Sequence, residues 1–446
     1  MEFFFRKFKL ILNKTMKKIT LALLLLSSFF AIAQRTCGME ENMQRIMADP
    51  AQKAAYLQMQ EKFEVELEKL QNTEYRSAQS INAEPTRIPV AVHYPSGANL
   101  TAAVKTCLRN LAQRQINILN ADYNGANTDI SNWAGVSANY PGTLTGNLNV
   151  EFVLATQNHP SGTGLVNGEV AVTFGTDYLS GADSDATWAG YCNLVVRNIS
   201  GGVLGYSPLG GYPSAGMTVV IDNNAFGASM IGSTPSTCSG YVPGAPYNKG
   251  RTLTHELGHF FNLNHTFAGC DGPNCATSGD RVCDTPSTDE ARYDCNAANN
   301  PPPPGGNNPP VSSCGPLQLT MNYMDYVEDG CMYMFTKGQE TRMKAWYNTI
   351  SSQLATNTLS TTNFVKSNYT LAPNPNNGSF TLTFKDLSND VSVEVFDISG
   401  RVVYENYYTQ SANLVQDIKI ENPSSGLYFV NIKSGSSLST EKIIIK

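Results

Sequence analysis

Three stretches of the chain differ in how apolar and polar residues alternate. Residues 35–72 follow a helical period, with apolar residues three or four apart among many charges. From residue 86 onward, short apolar runs alternate with helical patterns and glycine-rich turns, and from residue 369 only short strand patterns remain. The pattern predicts an accessory helical segment, a large α+β domain and a small all-β domain.

The middle stretch contains both strand and helix patterns. Apolar runs predict strands at Ile88–His93, Asn147–Thr156 and Gly216–Gly227. Helical spacing predicts an amphipathic helix that begins near Leu100, and a second helix with a threonine cap at Phe335–Leu354. We expect this second helix to close the domain.

The last stretch, residues 369–446, contains about seven strand patterns separated by Gly, Asn or Ser turns, which is typical of a small β-sandwich. A Ser/Thr/Asn-rich linker precedes it at residues 352–368. The stretch holds neither histidine nor cysteine, so we do not expect catalysis there.

The N-terminus has the pattern of an export signal. Lysines at 17 and 18 precede the apolar run at residues 19–33, which ends in the small-x-small site Ala31-Ile32-Ala33. We predict a signal peptide over residues 1–33, with Met16 as an alternative start. A membrane anchor is the other interpretation, but the run is shorter than the roughly 20 residues that a bilayer requires. The mature chain is therefore expected to lack a stable membrane span.

Composition narrows the possible partners. Charged residues make up 15% of the chain and its net charge is -6, with no basic run beyond the N-terminus, so nucleic acid is not an expected partner. Ten cysteines suit an exported protein. Six of them lie between Cys270 and Cys331 and are predicted to form disulfides whose pairing stays open. Cys37 stands apart from the others.

Three of the five histidines fall within eleven residues, in the run HELGHFFNLNH. On a helix, His255 and His259 lie on one face with Glu256 beside them. A catalytic zinc ion takes three protein ligands, and His265 is the candidate third. The alternative interpretation is a helix that carries surface histidines.

This run resembles the H-E-x-x-H-x-x-G-x-x-H motif of the metzincin metalloproteases. Asn262 replaces the glycine of that motif, and Asn tolerates the left-handed conformation that the turn requires. Met324 matches the metzincin methionine turn. Together with "GDRVCDTP", "NYMDY" and the glycine-rich segment before Asp222, the motifs resemble the pappalysin and cytophagalysin-like branch over Thr86–Ser351.

The resemblance implies roles for individual residues. His255, His259 and His265 would hold Zn2+, with Glu256 as the catalytic base, and Met324 would pack beneath the ion. Tyr326 would hydrogen-bond the tetrahedral intermediate, or else it is a packed aromatic in a tight turn.

Further expectations follow from the same resemblance. The strand at Met217–Asp222 would form the edge above the cleft and bind extended substrates by strand addition. Asp280, Asp284 and Thr285, with Asp289 nearby, would bind Ca2+, the alternative being a solvated acidic loop. Some related enzymes cut beside arginine, which makes the bonds after Arg76 and Arg87 candidate sites of self-processing.

Cys37 has two interpretations. Its thiolate would occupy the fourth zinc position and keep a proenzyme latent, as the resemblance implies, or it would form a structural disulfide.

The tail, with "LAPNPNNGSF", "GLYFVNI" and "EKIIIK", resembles the C-terminal sorting domain of type IX secretion. The alternative is a generic carbohydrate- or cell-binding sandwich. The expected partners are the secretion machinery and protein or peptide substrates, and the expected location is outside the cell or on its surface.

The predicted fold class is α+β, a metzincin-like catalytic domain with a twisted mixed sheet, an active-site helix and a loop-rich C-terminal subdomain, followed by an all-β sandwich. The expected order is a signal peptide (1–33), a propeptide (34–76), the protease domain (77–351), the linker (352–368) and the sorting domain (369–446). The predicted function is that of a secreted zinc endopeptidase made as a latent proenzyme. The alternative is a catalytically silent exported adhesin on the same scaffold.

Overall fold

The computed structural model describes residues 36–72, 85–175, 186–214, 217–228, 238, 240–241, 243–293, 295, 312–359, 369–384, 391–397, 401–408, 414–434 and 437–446. The predicted signal peptide, the Arg76-Ser77 bond and residues 360–368 of the predicted linker lie outside them. The chain divides into two compact units, Met1–Leu359 and Ser360–Lys446.

The first unit mixes helices and strands. Its α-helices are α1 (Met39–Ala48), α2 (Pro50–Gln71), α3 (Ala102–Tyr123), α4 (Trp133–Val136), α5 (Arg251–Phe260) and α6 (Lys337–Ile350). Its strands are β1 (Thr36–Cys37), β2 (Thr86–Tyr94), β3 (Val150–Leu154), β4 (Val172–Phe174), β5 (Cys192–Arg197), β6 (Val203–Tyr206) and β7 (Val219–Asp222). Short 3-10 helices lie at Pro95–Gly97, Thr128–Asn132, Ser137–Asn139, Ala186–Trp188, Ser351–Gln353 and Thr356–Thr358.

These strands form one mixed sheet in the order β1-β6-β7-β5-β2-β3, with β4 also paired to β2. The β6–β7 pair is antiparallel and the other pairs are parallel. Apolar side chains of the sheet join those of α3, α5 and α6 in one core, which places α5 beneath the β6 and β7 end of the sheet.

The prediction that Met217–Asp222 forms the edge strand is wrong. All four residues of β7 are buried and β7 lies between β5 and β6. A continuous apolar strand is stable inside a sheet, whereas the partly exposed β6 lies nearer the edge and has only the two-residue β1 on its outer side. The two-residue β1 pairs with β6 in parallel, with Thr36 opposite Val203 and Cys37 opposite Gly205.

The accessory segment forms two helices that pack on the rest of the unit. Asp49 caps α2, since its carboxylate accepts hydrogen bonds from the backbone N–H of Ala51 and of Gln52, both at 2.9 Å. Pro50 follows as the first helical residue. Phe63 of α2 is completely buried in the main core, so the segment shares that core and has none of its own.

The bond after Arg87, one of the two candidate sites of self-processing, was expected to be exposed because it lies in a polar stretch, and this expectation is wrong. Both residues lie in β2, where Ile88 is buried and the Nε of Arg87 donates to a carboxylate oxygen of Glu151 at 2.8 Å. Because the backbone of Arg87 and Ile88 also pairs with β3, this bond is less accessible to a protease.

Disulfides join the six clustered cysteines, as predicted. The pairs are Cys270–Cys314, Cys275–Cys283 and Cys295–Cys331, and a fourth disulfide joins Cys107 of α3 to Cys238. Cys37 and Cys192 stay as thiols, which leaves no structural disulfide for Cys37. Burial raises the pKa of Cys192 to about 12, so this thiol is inert.

The second unit is an all-β sandwich, as predicted. Its described strands are β8 (Tyr369–Ala372), β9 (Ser379–Phe384), β10 (Val391–Asp397), β11 (Val402–Tyr408), β12 (Val415–Lys419), β13 (Gly426–Ser434) and β14 (Ser437–Ile445). They form a four-stranded sheet, β11-β10-β13-β14, and a three-stranded sheet, β12-β9-β8. Inward-facing apolar residues such as Leu382, Val393 and Val430 make its core.

None of the helices in the described ranges has the length and apolarity that a membrane crossing requires.

Candidate metal centre

Helix α5 carries the histidine motif and is buried along its whole length. The rings of His255 and His259, four residues apart, project from one face, with their centroids 4.8 Å apart. Buried polar side chains require partners, and both imidazoles find them in backbone carbonyls.

Those carbonyls fix which nitrogen of each ring carries the proton. His255 Nδ1 lies 2.7 Å from the carbonyl oxygen of Tyr323, and His259 Nδ1 lies 2.7 Å from that of Leu263. A carbonyl only accepts, so each Nδ1 donates and each Nε2 presents a lone pair. His259 Nε2 lies 3.2 Å from His255 Nε2 and 3.0 Å from His265 Nε2.

A left-handed turn at the end of α5 brings His265 back toward the helix. Asn262 has a φ of 68°, the conformation in which the motif usually has glycine. Its backbone N–H donates to the carbonyl of His259 at 2.8 Å, and its own carbonyl accepts from Arg342 Nε at 2.8 Å. The Asn substitution is therefore compatible with the turn that the sequence predicted.

The methionine turn lies directly beneath α5. Met324 is fully buried, and its thioether occupies the space that a Cβ at position 258 would need. Gly258 thus allows the turn to approach the helix between the two histidines. The same turn supplies the Tyr323 carbonyl that orients His255.

Glu256 lies between the helix and the edge strand β6. It is 1% exposed, and a Cβ added at Gly205 of β6 would lie 2.9 Å from its Cγ, so a glycine is needed there. Cys37 Sγ donates to Glu256 Oε2 at 3.4 Å, and the backbone N–H of Gly38 donates to the Gly205 carbonyl at 2.9 Å. The accessory segment therefore occupies the space above the Glu256 carboxylate.

Tyr326 lies in the same cluster. Its ring centroid is 4.9 Å from that of His265, 5.7 Å from that of His255 and 4.7 Å from that of Phe267. It is 9% exposed and packs with Cys37 and Met39. The structure thus brings this predicted residue to the histidines.

A buried charge network supports the start of α5. Arg251 makes two 2.6 Å contacts with the Asp129 carboxylate, and its Nη2 lies 3.8 Å from an oxygen of Asp122. The hydroxyl of Thr254, next to His255, donates to Asp122 at 2.7 Å. Burial raises the pKa of Asp122 to about 6, although the Arg251 charge and the Thr254 hydrogen bond act to lower it.

The residues expected to bind calcium have other contacts. The carboxylate of Asp280 accepts from the Thr285 hydroxyl at 2.7 Å and from the Val282 N–H at 3.0 Å. The carboxylate of Asp284 accepts from the Thr336 hydroxyl at 2.6 Å and from the Gly338 N–H at 2.8 Å, at the start of α6. Within the described residues, neither aspartate belongs to a group of His, Cys, Asp and Glu side chains that lie close enough together to hold a metal ion. A calcium site there stays a prediction.

The sequence reasoning missed several residues of the centre. Gly205 has no motif of its own, and the carbonyls of Tyr323 and Leu263 have no side-chain signal. For Asp122 and Arg251 a sequence signal was available. Asp122 occurs in an apolar helical pattern, which indicates burial, and a buried carboxylate requires an oppositely charged partner such as Arg251.

The donor set fits a zinc ion. Zinc holds tetrahedral nitrogen ligands at about 2.0–2.1 Å, which places those nitrogens roughly 3.3 Å apart, close to the two observed separations of 3.2 and 3.0 Å. The sulfur of Cys37 and a nitrogen of each histidine all lie within 4.8 Å of one another, and all four residues are buried. Lone pairs that converge so closely repel one another unless a cation lies between them. A second group, Cys270, Asp289 and Cys314, offers no thiolate because its two sulfurs form a disulfide.

Comparisons with known proteins assign both parts of the chain. Residues 184–348 match the peptidase family described as "Pregnancy-associated plasma protein-A", and residues 370–446 match the "Secretion system C-terminal sorting domain".

Two curated relatives are extracellular metalloproteases. One, from Colletotrichum graminicola, is 37% identical over 160 residues, which is 35% of this chain and 50% of the relative. Extracellular metalloprotease 1 of Coccidioides posadasii is 37% identical over 160 residues, with the same shares. The chain spans about half the length of the curated relatives it matches. Among solved structures, mature mirolysin of Tannerella forsythia in complex with a cleaved peptide is 28% identical, with a TM-score of 0.45, covering 62% of this chain and 99% of that one.

Proposed function

We propose that the chain is an exported zinc endopeptidase made as a latent proenzyme, because residues 184–348 match the pappalysin family of metalloproteases and residues 370–446 match the secretion sorting domains. The single observation that carries the proposal is the convergence of three buried histidine nitrogens beside Cys37, whose sulfur also contacts the buried Glu256.

The side chains divide the work of peptide hydrolysis. A zinc ion on the three histidines would polarise the substrate carbonyl and lower the pKa of a water molecule. Glu256 accepts a proton from the water that attacks the carbonyl carbon and passes it to the nitrogen as the C–N bond breaks. The position of Tyr326 beside His255 and His265 supports a role for its phenol as a donor to the oxyanion.

Edge strand β6 supports the proposed preference for extended substrates. Its backbone already accepts a strand, since Thr36 and Cys37 pair with Val203 and Gly205. A substrate segment without secondary structure can form the same kind of backbone hydrogen bonds. We expect unfolded proteins and flexible loops to be cut, and folded domains to resist.

Cys37 supports latency. Its sulfur and one nitrogen of each of the three histidines lie close enough together to hold one metal ion, and the sulfur also contacts Glu256. A thiolate on zinc would fill the position that water requires, and β1 would block the edge strand. One short segment therefore obstructs both the base and the substrate-binding strand.

The first test removes the base and keeps the ligands. Glu256→Ala should bind zinc as the wild type does, one ion per chain by metal analysis, while hydrolysis of denatured casein falls by about a thousandfold or more. Glu290→Ala, which changes an exposed carboxylate, is the control and should retain activity. Undiminished cleavage by Glu256→Ala, or an activated wild type that binds zinc and cuts nothing, would refute the proposal, and the second result would favour the silent adhesin.

The second test concerns latency. Unprocessed Cys37→Ala should cut a flexible fluorogenic peptide at least about tenfold faster than the wild-type proenzyme, because the sulfur no longer competes with water. Cys192→Ala removes the other non-disulfide thiol and should stay as latent as the wild type. Equal latency of the Cys37 and Cys192 variants would exclude the thiol contact as the block.

A further inference from the structure

Helix α2 of the accessory segment lies in a groove of the first unit, remote in sequence from Cys37. The ring of Phe63 packs 5.6 Å from that of Trp346 on α6, and the Arg342 guanidinium carbon lies 4.8 Å from the centre of the Phe63 ring. Phe63 is completely buried, and Met59 and Leu70 on the same helix are 6% exposed each. The groove therefore binds an apolar helix face with an arginine packed against its aromatic residue.

The same helix contacts the turn that carries the third histidine. Gln60 Nε2 donates to Asn262 Oδ1 at 3.3 Å, and Asn262 Nδ2 donates to Gln60 Oε1 at 3.1 Å. The glycine of the metzincin motif has no side chain, so at position 262 it could not form these hydrogen bonds with Gln60. The residue that departs from the metzincin motif is thus the one that Gln60 recognises.

Charge complements the apolar contact. Arg342 is 3% exposed, and burial together with the like charge of Arg281 lowers its pKa to about 10. Glu64 and Tyr56 of α2 oppose this effect. The helix therefore presents an acidic residue and a phenol toward a cationic surface, next to the apolar row that contains Phe63.

The contacts that β1 and α2 make differ in extent. Strand β1 has two residues, whereas α2 has 22 and buries three large apolar side chains. Helix α2 therefore contributes a larger apolar contact than β1 does. The outward face of α2, with Leu57 and Val65 45% and 53% exposed, takes no part.

We propose that the groove on α6 and the Asn262 turn is a docking site for helix α2, and that it keeps the segment 36–72 bound after the chain is cut between Asn72 and Pro85. The proposal rests on the proposed latency and adds that one cut in this interval does not release the inhibitor. Release requires a second cut within the segment, or dilution below the affinity of the helix.

The experiment places a recognition sequence for a site-specific protease between Asn72 and Pro85 of the full chain, in the Glu256→Ala background so that self-digestion does not interfere. After complete cutting, the fragment that ends at the new site should co-elute with the remainder in size exclusion. Its dissociation rate is then measured by competition with a labelled copy of the fragment.

Matched variants on the same helix identify the docking face. Phe63→Ala should raise the dissociation rate by about a hundredfold or more, and Gln60→Ala by about fivefold to tenfold. Val65→Ala and Glu61→Ala change exposed positions and should match the wild type. If Phe63→Ala fails to fold, Gln60→Ala and a double-mutant cycle with Asn262→Gly decide the question, because the two amides contact each other and their effects should not add.

Prompt separation of the wild-type fragment would overturn the docking proposal. Equal dissociation rates for the Phe63→Ala and Val65→Ala variants would also overturn it. If Phe63→Ala does not fold, equal dissociation rates for the Gln60→Ala and Glu61→Ala variants would do the same. None of these measurements uses catalysis. A chain that retains its fragment and never hydrolyses protein would therefore contradict the proposed function alone.

Discussion

Asp122 and Asp129 flank the same guanidinium, that of Arg251, yet their pKa values shift in opposite directions. Burial raises the pKa of Asp122 from 3.8 to about 6. Burial also acts to raise that of Asp129, but hydrogen bonds and charge from Arg251 lower it overall. For Asp122 the folded pKa exceeds the unfolded one, so its stabilising contribution is complete below about pH 4 and is lost as the pH rises to about 6.

Replacing Asp122 by Asn removes this titration. The free energy of unfolding of Asp122→Asn, relative to the wild type, should rise by about 2 kcal/mol between pH 4 and pH 7, measured by urea denaturation. Asp129→Asn serves as the control with the opposite sign, because a lowered pKa contributes stability at neutral pH that is lost in acid. Parallel pH profiles for the two variants would contradict the assigned directions.

At the scale of elements, α5 can pack closely on the methionine turn because residue 258 is a glycine and has no side chain. Gly258→Ala would place a methyl group against the thioether of Met324, which is fully buried. We expect a loss of about 1–3 kcal/mol in stability and weaker zinc binding, because the turn also carries the carbonyl that orients His255.

A double-mutant cycle separates this clash from a general effect of alanine. Met324→Ala creates room, so Gly258→Ala should cost less in that background than in the wild type, as measured by thermal unfolding and zinc titration. Gly244→Ala, where a Cβ would have no neighbour within 4 Å, is the control and should be nearly neutral. Additive effects of the Gly258 and Met324 changes would exclude the contact.

Local patterns predicted some of these elements and missed others for a physical reason. The helix that carries the histidines follows from residues four apart, and the Asn262 turn from the tolerance of Asn for positive φ, both within eleven residues. The order of strands depends on pairing between distant segments, which local patterns do not report in full. One partial signal was present in the sequence, since a continuous apolar run such as Val219-Val220-Ile221 is typical of an interior strand. The pairing of β1 with β6 joins residues 36 and 203, which no spacing rule connects.

At the scale of the whole molecule, each compact unit has a hydrophobic core of its own. A chain that ends at Leu359 should therefore keep the main unfolding transition of the first unit, while its export by a host with the matching secretion system should fail.

A variant in the full chain tests whether the folded sandwich is what the host recognises. Val430→Asp places a charge in the completely buried centre of the four-stranded sheet and should abolish export as the truncation does. Val415→Ser, at a position 52% exposed, should be exported normally. Normal secretion of the truncated chain or of Val430→Asp would refute the sorting role of the fold.

All four disulfides lie in the first unit, and the second contains no cysteine. The two units of the protein therefore mature independently of each other. The sandwich is complete as soon as its backbone has folded, in reducing or oxidising surroundings alike, whereas the first unit requires an oxidant to close its disulfide loops. A sorting step that recognises only the sandwich therefore does not depend on whether the disulfides of the first unit have formed.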